Sequence, residues 1–257
     1  MKLEGKIALV TGGSHGIGRG ISLALAREGA KVVVNYSTDK EAANWTENKI
    51  KEMGGKATVV KADVGEIDQC KELVSKSNEA FGRVDLLISN AGIGQQSKIV
   101  DTPDEEWDRV MNVNLRATFA LARELMPGMI EREYGRIVNI SSNCALTGIA
   151  MGSFVTYATS KGALNTLTKG IAHEGAPFIT CNAICPGATN TKIAEERGEE
   201  WPPPPAFDEK RFLGMRVPLN RRGTPEDIAE TVLFLVSDSG CFLTGQIIHV
   251  SGGVMMP

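Results

Sequence analysis

Tyr157 and Lys161 stand four residues apart in the stretch TYATSKGALNTL, which is predicted to begin a helix. Residues at this spacing share one face of a helix, so the phenol and the ammonium can meet. A nearby cation favours the phenolate, and it would lower a phenol pKa of about 10 towards the range that acid–base chemistry needs. The same pair also occurs by chance on many solvated helices, so the rest of the sequence has to decide between the two interpretations.

The composition argues against several classes of function. The chain has 257 residues, of which 42% are hydrophobic and 23% charged, and its net charge of −3 does not suit a nucleic-acid surface. No apolar stretch approaches the roughly 18 residues of a membrane span. The five cysteines are odd in number and no histidine pair completes a zinc site, so we expect reduced thiols, no metal and a cytoplasmic protein.

Short apolar runs alternate with helical stretches along the chain. Seven runs consist almost entirely of apolar residues, which is typical of strands covered on both faces. These runs are KIALVTG, KVVVNY, ATVVKADV, VDLLISNAG, GRIVNISS, FITCNAICPG and QIIHVSGG. The alternation predicts an α/β fold, a doubly wound parallel sheet of about seven strands with helices on both faces, in one domain over residues 1–257. One long, charged, proline-rich stretch, residues 189–218, breaks the pattern.

The first strand is predicted to end in the glycine-rich stretch TGGSHGIG, immediately before a helix. Gly12, Gly16 and Gly18 let the backbone turn sharply and approach a ligand closely. The helix N-terminus then presents free N–H groups to a phosphate, at the sheet edge where such folds bind ligands. The spacing GxxxGxG differs from GxGxxG, and GxxxxGK(S/T) is missing from the sequence. The turn therefore favours nucleotide binding over nucleotide hydrolysis, with a purely structural turn as the alternative.

Three further strand ends carry distinctive residues: NAG at 90–92, NISS at 139–142 and CPG at 185–187. Asn114 lies between the first two, in the helical stretch MNVNL. Together with the glycine turn and TYATSKG, this set of motifs resembles the short-chain dehydrogenase/reductase family, in the subtype with a TGxxxGxG turn and a YxxxK pair. The resemblance runs from Leu3 to about Gly253 and implies a Rossmann-type fold.

The resemblance also implies an oxidoreductase with the catalytic residues Asn114, Ser142, Tyr157 and Lys161. Tyr157 would protonate the oxygen of a ketone as hydride arrives, or take that proton in the oxidative direction. Ser142 would hold the same oxygen by a hydrogen bond. Lys161 would lower the pKa of Tyr157 and bind the nicotinamide ribose, and Asn114 would hold a water that passes protons to solvent.

A nicotinamide dinucleotide is the cofactor that the resemblance implies, and we expect NADP(H) rather than NAD(H). NAD-preferring members usually carry an acidic residue at the end of the second strand, where this chain has Tyr36. Ser37 and Thr38 follow and can donate hydrogen bonds to a 2′-phosphate. His15 adds a basic residue within the glycine turn, and Asp39 is expected to begin the next helix. The expected cofactor-binding residues are Gly12, Ser14, His15, Gly16, Ile17, Gly18, Tyr36, Ser37, Thr38, Asp63, Val64, Asn90, Ala91, Gly92, Tyr157, Lys161, Pro186, Gly187, Thr189 and Thr191.

Two substrate classes stay open. The motifs fit 3-oxoacyl-carrier-protein reductases, which dock their acidic carrier with arginines. The corresponding positions here hold Glu133 and Phe178, and a glutamate repels an acidic partner. We therefore expect a free ketone or secondary alcohol, such as a steroid-like, cyclic or polyol compound. A non-catalytic dinucleotide-binding sensor or scaffold is the second alternative, which the complete catalytic set disfavours.

Residues 189–218 begin where the nicotinamide is expected to lie. Pro202 to Pro205 favour a stiff, extended segment, and apolar side chains surround them in the sequence. We expect a lid that closes over the substrate, with a disordered insertion as the alternative. The expected substrate-contacting residues are Ser142, Cys144, Tyr157, Trp201 and Phe212.

The resemblance further implies a homotetramer, or at least a homodimer, packed through the helices after strands four and five and through the C-terminal strand. The apolar ending GQIIHVSGGVMMP suits a buried tail. His249 within it is expected to pack rather than catalyse, and His173 to lie at a surface or an interface. The remaining partner is a small-molecule substrate, with no nucleic acid or membrane.

Overall fold

A computed structural model describes residues 1–94, 97–147, 155–191, 211–212 and 215–256. Within these residues the seven apolar runs form one parallel sheet, which confirms the predicted fold class. Two further short strands, β7 (Arg211–Phe212) and β8 (Met215–Arg216), pair with each other in antiparallel orientation. The strands of the parallel sheet are β1 (Ile7–Val10), β2 (Lys31–Tyr36), β3 (Lys56–Lys61), β4 (Leu86–Ser89), β5 (Gly135–Ile140), β6 (Ile179–Pro186) and β9 (Ile247–Val250).

The strand order is β3-β2-β1-β4-β5-β6-β9, so the direction in which the sheet grows reverses between β1 and β4. Val10, near the end of β1, lies between Val34 of β2 and Ile88 of β4. In open α/β sheets a crevice forms outside the carboxyl ends of the strands at such a reversal. The segments that follow β1, β2 and β4 therefore meet at one place, and they include the glycine turn and the NAG motif.

Alternate residues of each central strand pack on opposite faces of the sheet. Val10 and Val34 join the core under α1 (Gly16–Arg27) and α8 (Pro225–Val236), whereas Leu9 and Val33 join the core under α3 (Ile67–Phe81) and α5 (Ala117–Glu131). Both faces are covered, which explains why the strands are almost continuously apolar. No helix within the described ranges is long and apolar enough to cross a membrane. The α-helices are α1 (Gly16–Arg27), α2 (Lys40–Glu52), α3 (Ile67–Phe81), α4 (Asp104–Met111), α5 (Ala117–Glu131), α6 (Cys144–Thr147), α7 (Val155–Gly175) and α8 (Pro225–Val236).

Most of the predicted lid, namely residues 192–210 with Trp201 and residues 213–214, lies outside the described residues. Phe212 lies in β7, opposite Met215 of β8. On one side of the stretch, the N–H of Asn190 donates to the carbonyl of Gly223 at 2.8 Å. On the other side, the N–H of Leu219 donates to the carbonyl of Gly252 at 3.0 Å. Both flanks are thus tied to segments beside the carboxyl ends of β6 and β9.

Candidate active site

The glycine turn after β1 and the NAG segment after β4 form one hydrogen-bonded unit. Asn90 Nδ2 donates to the carbonyl oxygens of Thr11 at 2.9 Å and Gly12 at 3.1 Å. Thr11 Oγ1 accepts in return from the N–H groups of Asn90 at 2.9 Å and Ala91 at 3.0 Å. A Cβ atom on Gly18 would lie 2.1 Å from the Gly12 oxygen, so α1 can approach this unit only with glycine there.

Asn35 belongs to the same unit, although the sequence analysis did not single it out. It is buried in β2, where its Oδ1 accepts from the N–H of Gly12 at 3.3 Å and its Nδ2 donates to the carbonyl of Ala62 at 3.0 Å. One amide side chain therefore ties together the carboxyl ends of three strands, β1, β2 and β3. The signal in the sequence was an amide inside the apolar run KVVVNY.

A groove of about 190 Å³ opens at these strand ends. Gly16, Ile17 and Gly18 form the first turn of α1, and the Ser37 and Thr38 side chains are exposed after β2. A glycine-edged groove with free helix N–H groups and two exposed hydroxyls fits a phosphate-bearing dinucleotide. The predicted cofactor residues that line it are Gly12, Ser14, His15, Tyr36, Ser37, Thr38, Asp63, Val64, Ala91 and Gly92.

His15 and Asp39 face each other at the wall of this groove, where His15 Nε2 lies 3.2 Å from Asp39 Oδ2. Asp39 also caps α2 by accepting from the N–H of Ala42 at 2.9 Å, as expected. The carboxylate that follows Ser37 and Thr38 is therefore engaged by a helix cap and by an imidazole. This pairing keeps a basic side chain at the end of the groove that carries the two hydroxyls.

Arg109 and Asp63 form an ion pair that also lines the groove. Arg109 Nη2 lies 2.8 Å from Asp63 Oδ2 and 3.1 Å from Oδ1. Burial acts to raise the pKa of Asp63, but hydrogen bonds from Arg109 and from the N–H of Gly65 outweigh it and hold that pKa below its usual value. Arg109 was not expected from the sequence, because α4 meets the end of β3 only in the folded chain.

Asn114 is positioned by a π-helical turn, Asn112–Arg116, which joins α4 to α5. The side chain is buried, its Oδ1 accepts from the N–H of Ile93 at 2.8 Å, and its Nδ2 donates to the Ile93 carbonyl at 3.0 Å. Nδ2 also donates to Ser160 Oγ at 3.0 Å. Asn114 thus links the segment after β4 to helix α7, which carries Tyr157 and Lys161.

Lys161 and Asn114 converge on Gly92. A Cβ atom on Gly92 would lie 3.3 Å from Lys161 Nζ and 3.4 Å from Asn114 Oδ1. Lys161 Nζ donates to the carbonyl of Ile140, at the end of β5, at 2.8 Å. Lys161 is 3% exposed, and burial lowers the pKa of its ammonium to about 8. This ammonium therefore loses its proton more readily than a typical lysine does, and it lies near Gly92, which lines the groove.

Tyr157 and Ser142 lie together on the other side of Lys161. Tyr157 packs against Cys144, one of the expected substrate residues, and hydrogen-bonds with the Ser142 side chain. Ser142 is buried, and its Oγ also accepts from the N–H of Cys144 at 3.2 Å. Burial raises the pKa of Tyr157 to about 12, although the hydrogen bond with Ser142 acts in the opposite direction.

The expectation that Lys161 lowers the pKa of Tyr157 is wrong for this arrangement. Lys161 Nζ lies 5.8 Å from the centre of the Tyr157 ring and is engaged by the Ile140 carbonyl. Removal of the phenol from water raises the pKa of Tyr157, and the hydrogen bond with Ser142, rather than Lys161, is the interaction that acts to lower it. The helical spacing correctly placed both residues on α7, but it carried no information about burial.

The end of β6 supplies the last group of expected cofactor residues. The N–H of Gly187 donates to the carbonyl of Val250 at 3.0 Å, and Thr189 Oγ1 donates to the carbonyl of Gly187 at 3.1 Å. Pro186 is buried and Thr191 half-buried. These residues lie between the site and the N-terminal flank of the predicted lid. Their strand, β6, is paired with β5, which leads to Ser142.

The chain is similar along nearly its whole length to known proteins. A family model described as enoyl-(acyl carrier protein) reductase matches residues 12–255. Versicolorin reductase stcU of Emericella nidulans is 40% identical, with 98% of this chain and 96% of that protein covered. The 3-oxoacyl-[acyl-carrier-protein] reductase FabG of Thermotoga maritima is 36% identical over all of both chains. The solved structure of a mutant Serratia marcescens short-chain dehydrogenase/reductase superposes with a TM-score of 0.85 at 31% identity, covering 98% of this chain and 99% of that one.

Proposed function

The chain belongs to the short-chain dehydrogenase/reductase family, and on that premise we propose that it transfers a hydride between NADP(H) and a ketone or secondary alcohol, with Tyr157 as general acid and base. The observation that carries this proposal is the convergence of Lys161 Nζ and Asn114 Oδ1 on Gly92, at the groove wall, beside the hydrogen-bonded pair Ser142 and Tyr157. Residues that only shape a fold seldom bring a buried ammonium, a phenol and a serine hydroxyl to one crevice.

Each catalytic side chain has a distinct part in this proposal. When bound, the nicotinamide supplies or accepts the hydride. Tyr157 gives its proton to the ketone oxygen, and Ser142 holds that oxygen by a hydrogen bond. Lys161, with a pKa near 8, returns a proton to Tyr157. Asn114 holds the water through which Lys161 exchanges protons with solvent. In the oxidative direction the same groups work in reverse.

Preference for NADP(H) rests on the outer end of the groove. The end of β2 carries Tyr36 where an acidic residue would favour NAD(H), and the exposed hydroxyls of Ser37 and Thr38 follow it. His15 is the basic partner for a 2′-phosphate. Its Nε2 lies 3.2 Å from Asp39 Oδ2 at the groove wall, on the same side as the two hydroxyls.

A free cyclic ketone fits the described surface better than an acyl chain on a carrier protein. Glu133 is exposed, and Phe178 packs against the core, so neither position offers a cation to an acidic carrier. The relatives include reductases named for versicolorin and for tetrahydroxynaphthalene, and the second name denotes a two-ring polyol. FabG proteins are also among them, so reduction of 3-oxoacyl-carrier-protein is the alternative.

The test is loss of NADPH absorbance against a panel of cyclic ketones, polyhydroxylated aromatic ketones and one 3-oxoacyl-carrier-protein substrate. Turnover of the free cyclic compounds with higher kcat/KM supports the proposed substrate class, and a preference for the carrier-bound chain overturns it. Tight NADPH binding without turnover of any ketone would instead favour the dinucleotide sensor. A cytoplasmic location remains part of the proposal and is checked by fractionation of cells.

We also propose a homotetramer or homodimer. An apolar groove runs across the helices after β4 and β5, and it includes the half-exposed Phe119 ring. β9 is the edge strand of the sheet and its residues are only half-buried. Both surfaces suit a second copy of the chain. Light scattering at micromolar concentration checks this, and a monomer would contradict it. The residues that line the groove are Met111, Asn112, Leu115, Arg116, Phe119, Ala163 and Leu167.

Residues 189–218 are proposed to act as a substrate lid. The anchoring of Asn190 and Leu219 to segments beside β6 and β9 supports this, because both flanks start at the site. Limited proteolysis with and without NADPH and substrate tests it, together with a variant that lacks residues 199–209. A lid becomes protected by ligand, and its removal raises KM without weakening NADPH binding. Cleavage that is indifferent to ligand, with unchanged kinetics, would leave a surface insertion.

A further inference from the structure

His249 contacts the residue that follows Ser142. It lies in the edge strand β9, and its Nδ1 is 2.8 Å from Oδ1 of Asn143. Asn143 is fully buried, and this is the one hydrogen bond of its side chain among the residues that the structure describes. A buried amide that loses its partner tends to reorient, because an unpaired polar group away from water is costly. His249 therefore supplies the one hydrogen-bond restraint on the orientation of the Asn143 side chain among the described residues.

The backbone of Asn143 continues into the groups that orient Ser142. The N–H of Asn143 donates to the carbonyl of Pro186 at 3.3 Å. The peptide that leads from Asn143 to Cys144 supplies the N–H that donates to Ser142 Oγ at 3.2 Å. The side chain that His249 holds and the N–H that fixes the serine hydroxyl thus belong to consecutive residues. A small misplacement at a reacting group is enough to slow a reaction strongly.

On the premise of the proposed ketone reduction, we propose that His249 is a positioning residue of the reaction, which acts through Asn143 on the peptide that orients the Ser142 hydroxyl towards Tyr157. His249 touches no reacting atom in this role. The interaction starts in the C-terminal strand and ends at the catalytic serine. It assigns a function to a histidine that the sequence suggested only as packing.

The contact with Asn143 needs no charge on His249. Burial lowers the pKa of His249, and its partner in register on β6, Cys185, has a pKa that burial raises, so the neutral forms are favoured for both. The thiol of Cys144, the residue after Asn143, is a further titratable group on the described part of this segment. A neutral imidazole offers one donor and one acceptor nitrogen, and either can pair with an amide in the matching orientation.

Two substitutions with side chains of similar shape distinguish a positioning role of His249 from a role in packing alone. Asparagine and leucine branch alike, but His249→Asn keeps a polar group near the place of Nδ1 whereas His249→Leu removes it. His173→Leu is the matched control, because His173 is exposed on α7. We expect His249→Leu to lower kcat about tenfold or more with NADPH affinity within about twofold of wild type, and His249→Asn to recover most of the loss.

The pH profile supplies a readout that packing alone would not move. The hydrogen bond with Ser142 acts to lower the pKa of Tyr157, so its weakening in His249→Leu should shift the inflection of kcat/KM to higher pH. Hydrogen exchange of the peptide over residues 140–147 should rise in the same variant and return to normal in His249→Asn. An active wild type whose His249→Leu variant keeps its kcat and pH profile overturns the positioning role alone. A wild type without turnover on any ketone overturns the proposed function, and this role with it.

Discussion

The nucleotide groove and the catalytic cluster lie side by side, but they are built from different kinds of interaction. Around the glycine turn, uncharged groups of Thr11, Asn35 and Asn90 bond to one another and to backbone amides and carbonyls. In the cluster, the groups that matter are ionisable, and burial shifts the pKa of Lys161 to about 8 and of Tyr157 to about 12. The glycine turn of the groove depends on shape and the cluster on charge, and the pairs Arg109–Asp63 and His15–Asp39 add charge only to the groove wall.

This difference separates the two regions experimentally. An added atom should damage the groove while the protonation states in the cluster stay the same. Removal of the Tyr157 hydroxyl should disable the cluster while the groove still binds its ligand. Lys161 is expected to belong to both regions, because it is proposed to bind the nicotinamide ribose, and any other variant that damages both regions equally would show that they are one unit.

Tyr157→Phe should have the largest effect. Loss of the phenolic proton donor is expected to lower kcat by about a thousandfold, while the dissociation constant for NADPH stays nearly unchanged. Steady-state kinetics and cofactor titration measure the two quantities. Lys161→Ala is the informative companion, because it should lower kcat and weaken NADPH binding together. If Tyr157→Phe retained more than a small fraction of kcat, the acid–base assignment would be wrong.

Gly18→Ala makes the opposite test at the groove. The new methyl would lie 2.1 Å from the Gly12 oxygen and 2.5 Å from Asn90 Nδ2, so the turn and α1 must separate. We expect a loss of roughly 3 kcal/mol in unfolding free energy and much weaker NADPH binding. Gly170→Ala is the control, since nothing lies within 4 Å of its Cβ position in the interior of α7. That variant should be neutral or up to about 1 kcal/mol more stable.

Lys161→Met should trade activity for stability. The folded-state pKa of Lys161, about 8, lies below its usual value of 10.5, so protonation at lower pH favours the unfolded chain. The cost is fully present below pH 8 and disappears as pH rises towards 10.5, and it amounts to about 3 kcal/mol at most. Lys161→Met should therefore unfold at higher urea than wild type at pH 7, with the gap falling to less than half at about pH 9.5. An equal gap at both pH values would contradict the cost of burying the ammonium.

The two regions also differ in how far the sequence alone predicts them. The glycine turn, the NAG segment and the YxxxK pair are each short, contiguous motifs that can be read directly from the sequence. The seven apolar runs predicted the strands of the sheet, and the motifs then predicted where Gly12, Asn90 and Lys161 lie relative to those strands. The bond from Asn35 to Ala62 and the Arg109–Asp63 pair join residues distant in the chain, which no local pattern reveals. The direction of the Tyr157 pKa shift was predicted wrongly because burial is a property of the packed molecule.

Ser37→Asp should have the smallest effect, and it probes a charge placed at the edge of the region that otherwise depends on shape. Ser37 is exposed beside the wall formed by His15 and Asp39, so a carboxylate there would repel a 2′-phosphate and accept from a ribose hydroxyl. We expect the ratio of kcat/KM for NADPH over NADH to fall about tenfold, equivalent to about 1.4 kcal/mol. Because the site is exposed, salt should shrink the change, which a purely steric effect would not do. Ser37→Asn has the same shape without the charge and should keep the wild-type ratio. A wild type with higher kcat/KM for NADH would reverse the NADP(H) assignment, and it would mean that Asp39 serves as the ribose-binding acid in place of one at the end of β2.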